Sequence, residues 1–138
     1  MKSPRLWIAC AVMLSIGLPA LALSTRGAAK AGPRLAHMVF FTLKDHSAES
    51  REKFVASCKK YLDGHEGVSF FAVGTIAEDV VEPGVSVRDF DVALHVIFAS
   101  KAAERKYLEH PRHRQFVAEN KGSFAKVRVF DSYLVSKP

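Results

Sequence analysis

From Leu35 to Lys44 the chain alternates as a strand does. Leu35, His37, Val39, Phe41 and Leu43 point one way, and Ala36, Met38, Phe40 and Thr42 the other. Both sides are largely apolar, so both should be covered. Asp45-His46 predict a turn, and Ser47 an N-cap for a helix running to about Asp63. Glu49 and Glu52 in its first turn and Lys59 and Lys60 in its last match the helix dipole. Phe54, Val55, Cys58, Tyr61 and Leu62 form its apolar stripe, and Gly64 supplies a left-handed stop. Val68–Ile76 predicts a second strand. Glu78–Arg88 follows as a polar hairpin loop, with Pro83-Gly84 favouring a type II turn.

Asp89–Ala99 predicts a third strand, with Phe90, Val92, Leu94, Val96 and Phe98 on one face and Asp91, Ala93, His95 and Ile97 on the other. Ser100 caps a second helix that reaches Glu109. Pro111 lacks an N–H and its ring drives His110 out of the α region, so the helix breaks there. It restarts with His113, Phe116 and Val117 on one face, ends at Gly122, and leads into a last strand over Lys126–Val135.

The order β-α-β-β-α-β predicts a ferredoxin-like α+β fold, with the helices on one face of a four-stranded antiparallel sheet. The other face then carries Met38, Phe40, Phe71, Val73, Ala93, Ile97, Phe130 and Leu134. So large an apolar patch is unusual on a soluble monomer. A homodimer that packs two such faces together covers it.

The first residues read differently. Lys2 and Arg5 precede an apolar run, Leu6–Leu18, and Pro19 is followed by Ala20-Leu21-Ala22. That order predicts a secretory signal peptide over residues 1–22, cleaved near Ala22, and hence an exported protein, periplasmic or extracellular. The alternative is an uncleaved anchor helix, but the run falls short of the about 20 residues that span a bilayer and Pro19 interrupts it, and no stable membrane span is expected after cleavage. Residues 23–34 are small, basic and aperiodic, a flexible tether. The single domain is placed at residues 35–136.

The formal charge of +6 includes Lys2, Arg5 and cations of the tether, and the rest are scattered. No clustered basic face argues for DNA or RNA. Cleavage leaves one cysteine, Cys58, which cannot close an internal disulfide and falls on an apolar helix face.

Candidate chemistry gathers around Tyr107-Leu108-Glu109-His110-Pro111-Arg112-His113. The break at Pro111 can aim Tyr107 and His113 from two helical segments into one space, and His37 lies on the strand face that meets the helices. A neutral imidazole can take a proton from a carbon acid or hydroxyl, and a tyrosine hydroxyl can steady a developing enolate oxygen. Val39, Phe41, Val92, Phe116 and Val117, with His110 beside them, would line a mostly apolar pocket. The structural alternative makes His110-Pro111 a helix-terminating turn, His37 a satisfied core histidine and Tyr107 a half-buried aromatic. His110 and His113 do not complete a metal-ligand set. His46 and His65 fall in loops and are expected to be solvated, and His95 on the dimer side.

His37-x-Val39-x-Phe41-x-Leu43-Lys44, Phe90-Asp91, Phe98 and Tyr107-x-x-His110-Pro111-x-His113 with Phe116-Val117 resemble the motifs of the stress-responsive A/B barrel domain, or Dabb, family. The likeness spans about Leu35 to Leu134. It implies a dimeric α+β barrel but no single activity. By likeness to a plant polyketide cyclase of this class, Tyr107 and His113 match a catalytic pair and His37 a pocket histidine. Val92 stands where that cyclase carries a further histidine. The related antibiotic-biosynthesis monooxygenases share the barrel, but no cofactor motif points to them and no cofactor is expected.

The reading is therefore an exported homodimer, self-associating through Met38, Phe40, Phe71, Ile97 and Phe130, that binds a small, mostly apolar molecule. A cofactor-free acid–base enzyme using His113 and Tyr107, and a structural stress protein without a ligand, are the alternatives.

Overall fold

The computed structural model describes residues 32–135. The predicted signal peptide and the tether up to residue 31 lie outside them. The elements are β1 (Leu35–Leu43), α1 (Ala48–Leu62), β2 (Val68–Thr75), β3 (Val92–Phe98), α2 (Lys101–Glu109), α3 (Pro111–Asn120) and β4 (Phe124–Tyr133). The strands form one antiparallel sheet in the order β2-β3-β1-β4. This is the expected ferredoxin-like α+β fold, with the second helix divided in two.

Local chemistry sets the boundaries. The Ser47 hydroxyl accepts from the Ser50 N–H at 3.2 Å and the Ser100 hydroxyl from the Ala103 N–H at 3.2 Å, caps worth about 1 kcal/mol each. His110 is extended (φ −66°, ψ 139°) and Pro111 opens α3, where a missing N–H costs nothing. Arg112 then donates to the Lys60 and Asp63 carbonyls, both at 2.9 Å, which fastens the start of α3 to the end of α1. Gly67 has φ +82°, and a Cβ there would lie 2.5 Å from Ala103 Cβ. That close approach brings the loop before β2 against α2. Gly122 needs no such freedom: Lys121 ends α3 in an ordinary right-handed conformation, and Gly122 does not have a positive φ.

The core lies between sheet and helices and joins Leu35, Val39, Phe41 and Leu43 of β1 to Phe54, Cys58, Tyr61 and Leu62 of α1 and to Leu94, Val96, Phe98, Tyr107 and Phe116. The helices lean mainly over β2 and β3. The matching side of β4, with Val127, Val129 and Tyr133, stays exposed.

Two phases of the alternation differ from expectation. Phe71 pairs with Val96 and Val73 with Leu94, so both face the helices and pack on the core instead of lying on the open face. Phe70 and Ala72 take that place opposite Ile97 and His95. The cause is a bulge between Val68 and Phe70, which shifts the period of two by one residue. At the start of β3 the order also inverts. Phe90 stacks on Phe40 at 5.0 Å on the open side, while the Asp91 carboxylate reaches the Leu43 N–H at 2.7 Å and is buried. The regular strand begins only at Val92.

Candidate functional site

Nearest β4, the space between sheet and helices remains unfilled and encloses about 210 Å³. Its lining includes His37, Val39, Phe41, Tyr107, His113, Phe116 and Val117. Seven of the nine residues singled out in the sequence thus share one cavity. Val92 does not: it is fully buried in the core, between its partners Phe41 and Thr75 on the neighbouring strands. His110 is also outside, exposed at the junction of α2 and α3, where its Nδ1 accepts from the Arg112 N–H at 3.1 Å. Leu108, Val127 and Val129 complete the wall toward the exposed side of β4.

The polar groups are few and fixed. His37 is buried, and its Nδ1 donates to Asp131 Oδ1 at 2.7 Å. A carboxylate can only accept here, so Nδ1 carries the proton and a neutral His37 keeps its lone pair on Nε2. Tyr107 sits at the centre of the cluster. Its ring lies 4.8 Å from His113, 4.9 Å from His65, 5.0 Å from Phe98 and 6.5 Å from His37. Burial pushes the Tyr107 hydroxyl well above its ordinary pKa, with a smaller contribution from Cys58. It is therefore a proton-bearing donor at any physiological pH. Burial lowers the pKa of His113, helped by the charges of His37 and His65, while the Leu108 carbonyl opposes it. A neutral His113 is a base.

Three contributors escape sequence reasoning. Asp131 is ninety-four positions from His37, on a strand whose alternation says nothing of its partner. His65 is not solvated. It is buried, donates from Nε2 to the Tyr61 carbonyl at 2.8 Å and packs on His110 at 4.6 Å. Burial lowers its pKa, the Tyr61 carbonyl countering in part. The third, Asp91, belongs to a different cluster. His46, expected in solvent, donates to its Oδ2 at 2.9 Å, and Arg51 Nε donates to Oδ1 at 3.0 Å. Burial raises the Asp91 pKa, but the Leu43 N–H, His46 and Arg51 together hold it below the ordinary carboxylate value. Among the described residues no group of three or more His, Cys, Asp or Glu is placed to hold a metal ion. Cys58 is buried and its pKa raised to about 12 by desolvation, so its thiol is inert at neutral pH.

A pocket of this size suits a small, mostly apolar molecule with one polar group. The arrangement offers a carbonyl oxygen one donor, Tyr107, and offers an adjacent acidic proton the imidazoles of His113 and His37.

The profile of the stress responsive A/B barrel domain matches residues 35–134. Among solved structures the chain is similar to a Dabb family protein with a ferredoxin-like fold from Mesorhizobium loti. That pair shares 26% identity over 75% of this chain and 99% of that one, with a TM-score of 0.63. A dimeric ferredoxin-like protein of unknown function from Thermobifida fusca shares 19% identity over 75% and 92% of the two chains, TM-score 0.60. A hydroxynitrile lyase from Passiflora edulis shares 19% identity over 76% and 96%, TM-score 0.60. The last two likenesses show the fold alone. No curated protein matches the sequence. With the motifs of β1 and of the α2–α3 junction both inside the matched span, the chain belongs to the stress responsive A/B barrel domain family.

Proposed function

We propose that the protein is an exported homodimer whose pocket binds a small, mostly apolar molecule bearing a carbonyl or hydroxyl group. The observation that carries this reading is the unfilled space under Tyr107, walled by aliphatic and aromatic side chains and provided with fixed polar groups. Val117 is partly exposed and lines the pocket, so Val117→Trp should fill it without disturbing the core. Native mass spectrometry of the chain from its own export host tests the idea. Extra mass carried by the parent and lost in Val117→Trp supports it, and identical bare masses contradict it.

Self-association is supported by the open sheet face, where Phe70 and Phe130 are about half exposed beside Met38, Phe40 and Ile97. The Thermobifida fusca relative is described as dimeric. Phe71 is no longer part of this face. Export rests on the signal-peptide pattern of residues 1–22, and the amino-terminal sequence of the secreted protein tests it: a start near Leu23 is expected.

A second reading, cofactor-free acid–base catalysis, is favoured by the short contact between His37 and Asp131. It fixes one imidazole tautomer inside a cavity that also holds a neutral His113 and a protonated Tyr107. The Passiflora edulis lyase shows that the fold hosts an enzyme. Deuterium exchange next to a ketone carbonyl, lost in His113→Ala, would support this reading.

A further inference from the structure

The segment between β2 and β3 is a preorganised arm without a visible purpose in the monomer. Arg88 folds onto it, donating to the Val80 and Glu78 carbonyls, both at 2.9 Å. At its tip Gly84 has φ +81° and the Val85 N–H donates to the Glu82 carbonyl at 3.2 Å, the expected type II turn. Ser86 closes a second contact, its hydroxyl accepting from the Glu82 N–H at 2.7 Å. The foot is also pinned, because Asp89 meets Arg128 at 2.7 Å and Lys126 at 3.3 Å on β4.

With its backbone so well satisfied, the arm holds Val80, Val81, Val85 and Val87 outward, each more than half exposed. A loop that serves only as a connection has no reason to present four valines to water. Val87 is moreover continuous with the open sheet face, lining with Phe40, Phe90, Arg128 and Phe130 a groove of about 350 Å³.

We propose that Val85 and Val87 of this arm dock on a second copy of the chain, extending the sheet-face interface. The inference rests on the homodimer proposed above. A two-fold interface uses the same patch on both subunits, so an apolar limb that runs on from the open face is covered when two faces meet. A membrane is the poorer occupant. The arm carries Glu78, Asp79, Glu82 and Asp89, and its one cation, Arg88, is turned inward onto carbonyls. Anionic lipid would be repelled.

The test is a dilution series of the exported chain, starting near Leu23, by sedimentation equilibrium, with Val85→Ser/Val87→Ser and, separately, Phe130→Asp. Both valines are exposed, so the double variant should keep the parent's circular dichroism. Its dimer dissociation constant should rise tenfold or more. A smaller rise, while Phe130→Asp yields monomer, overturns the arm contact and leaves the dimer standing. A parent that stays monomeric at every concentration overturns both. Binding to phosphatidylglycerol vesicles that the double variant loses, with its dimer unchanged, assigns the arm to a membrane and overturns the proposal.

Discussion

Two histidine–aspartate contacts in this protein are built in opposite senses. At the start of β3 the carboxylate is the hidden partner: the Asp91 side chain is 3% exposed and that of His46 63%. At the pocket the imidazole is hidden: the His37 side chain is 9% exposed and that of Asp131 49%. Asp91 spends its oxygens on Leu43, His46 and Arg51, joining the end of β1, the start of α1 and the start of β3. Its polar groups satisfy one another, and its place is structural. His37 has one ring nitrogen engaged from outside, so the other is open to the proposed ligand of the apolar cavity. A buried acceptor with three donors makes a joint, and a buried imidazole with one fixed nitrogen makes a site.

Removing the buried carboxylate should have the largest effect. Asp91→Ala leaves the buried Leu43 N–H and the Arg51 Nε–H without their acceptor, with Arg51 keeping Glu78, and should cost about 3 kcal/mol in urea unfolding. Next comes the pocket. Tyr107→Phe and His113→Ala should each weaken binding of a small ketone at least tenfold, about 1.4 kcal/mol, with unfolding midpoints close to the parent for Tyr107→Phe. Calorimetry of binding and unfolding checks both. Should Tyr107→Phe destabilise the fold as much as Asp91→Ala, the distinction between joint and site disappears.

Acid separates the two clusters by window. The native pKa values of His65 and His113 are lowered by burial. As pH falls through about 6.5 the unfolded chain binds protons that the native chain does not, so stability declines there and levels off below the native values. Asp91 acts lower. Its pKa is depressed, so its contribution is complete above about 3.9 and is lost as pH falls through the native value. Thermal unfolding from pH 8 down to about pH 1.5 should show two steps, the upper one reduced in His65→Asn.

The exposed partners should matter least to the fold. Asp131→Asn should change stability by less than about 1 kcal/mol yet release the His37 tautomer. His46→Ala should cost less still, about 0.5 kcal/mol.

Most of the architecture is written locally. The alternation of β1, the caps at Ser47 and Ser100 and the break at Pro111 are each decided by neighbours within four residues, and the structure keeps all of them. Phe70-Phe71 is a different case. Two adjacent aromatics fit either phase of a strand, and the choice depends on a bulge set by pairing with β3. Asp91 follows the same logic, since a carboxylate opposite Leu43, Arg51 and His46 turns inward against the alternation. His65 lies between Gly64 and Gly67, in a loop whose burial is created by Tyr107 of α2 and His110 at the α2–α3 junction packing on it. Seven of the nine residues singled out for the pocket were legible because a helix break and a strand period suffice to place them, whereas Val92 turns into the filled core and His110 to solvent. Asp131 was not, because a contact across ninety-four positions leaves no local trace.

The most direct test of the joint and the site is a long-range proton–nitrogen spectrum of the histidine rings in the full chain, titrated with cyclohexanone. His37 should show the Nδ1–H tautomer, and its Nε2 and the His113 ring should shift with the ketone while His46 and His95 stay fixed. A His37 carrying its proton on Nε2, or a ketone response at His46 equal to that at His113, would contradict the account.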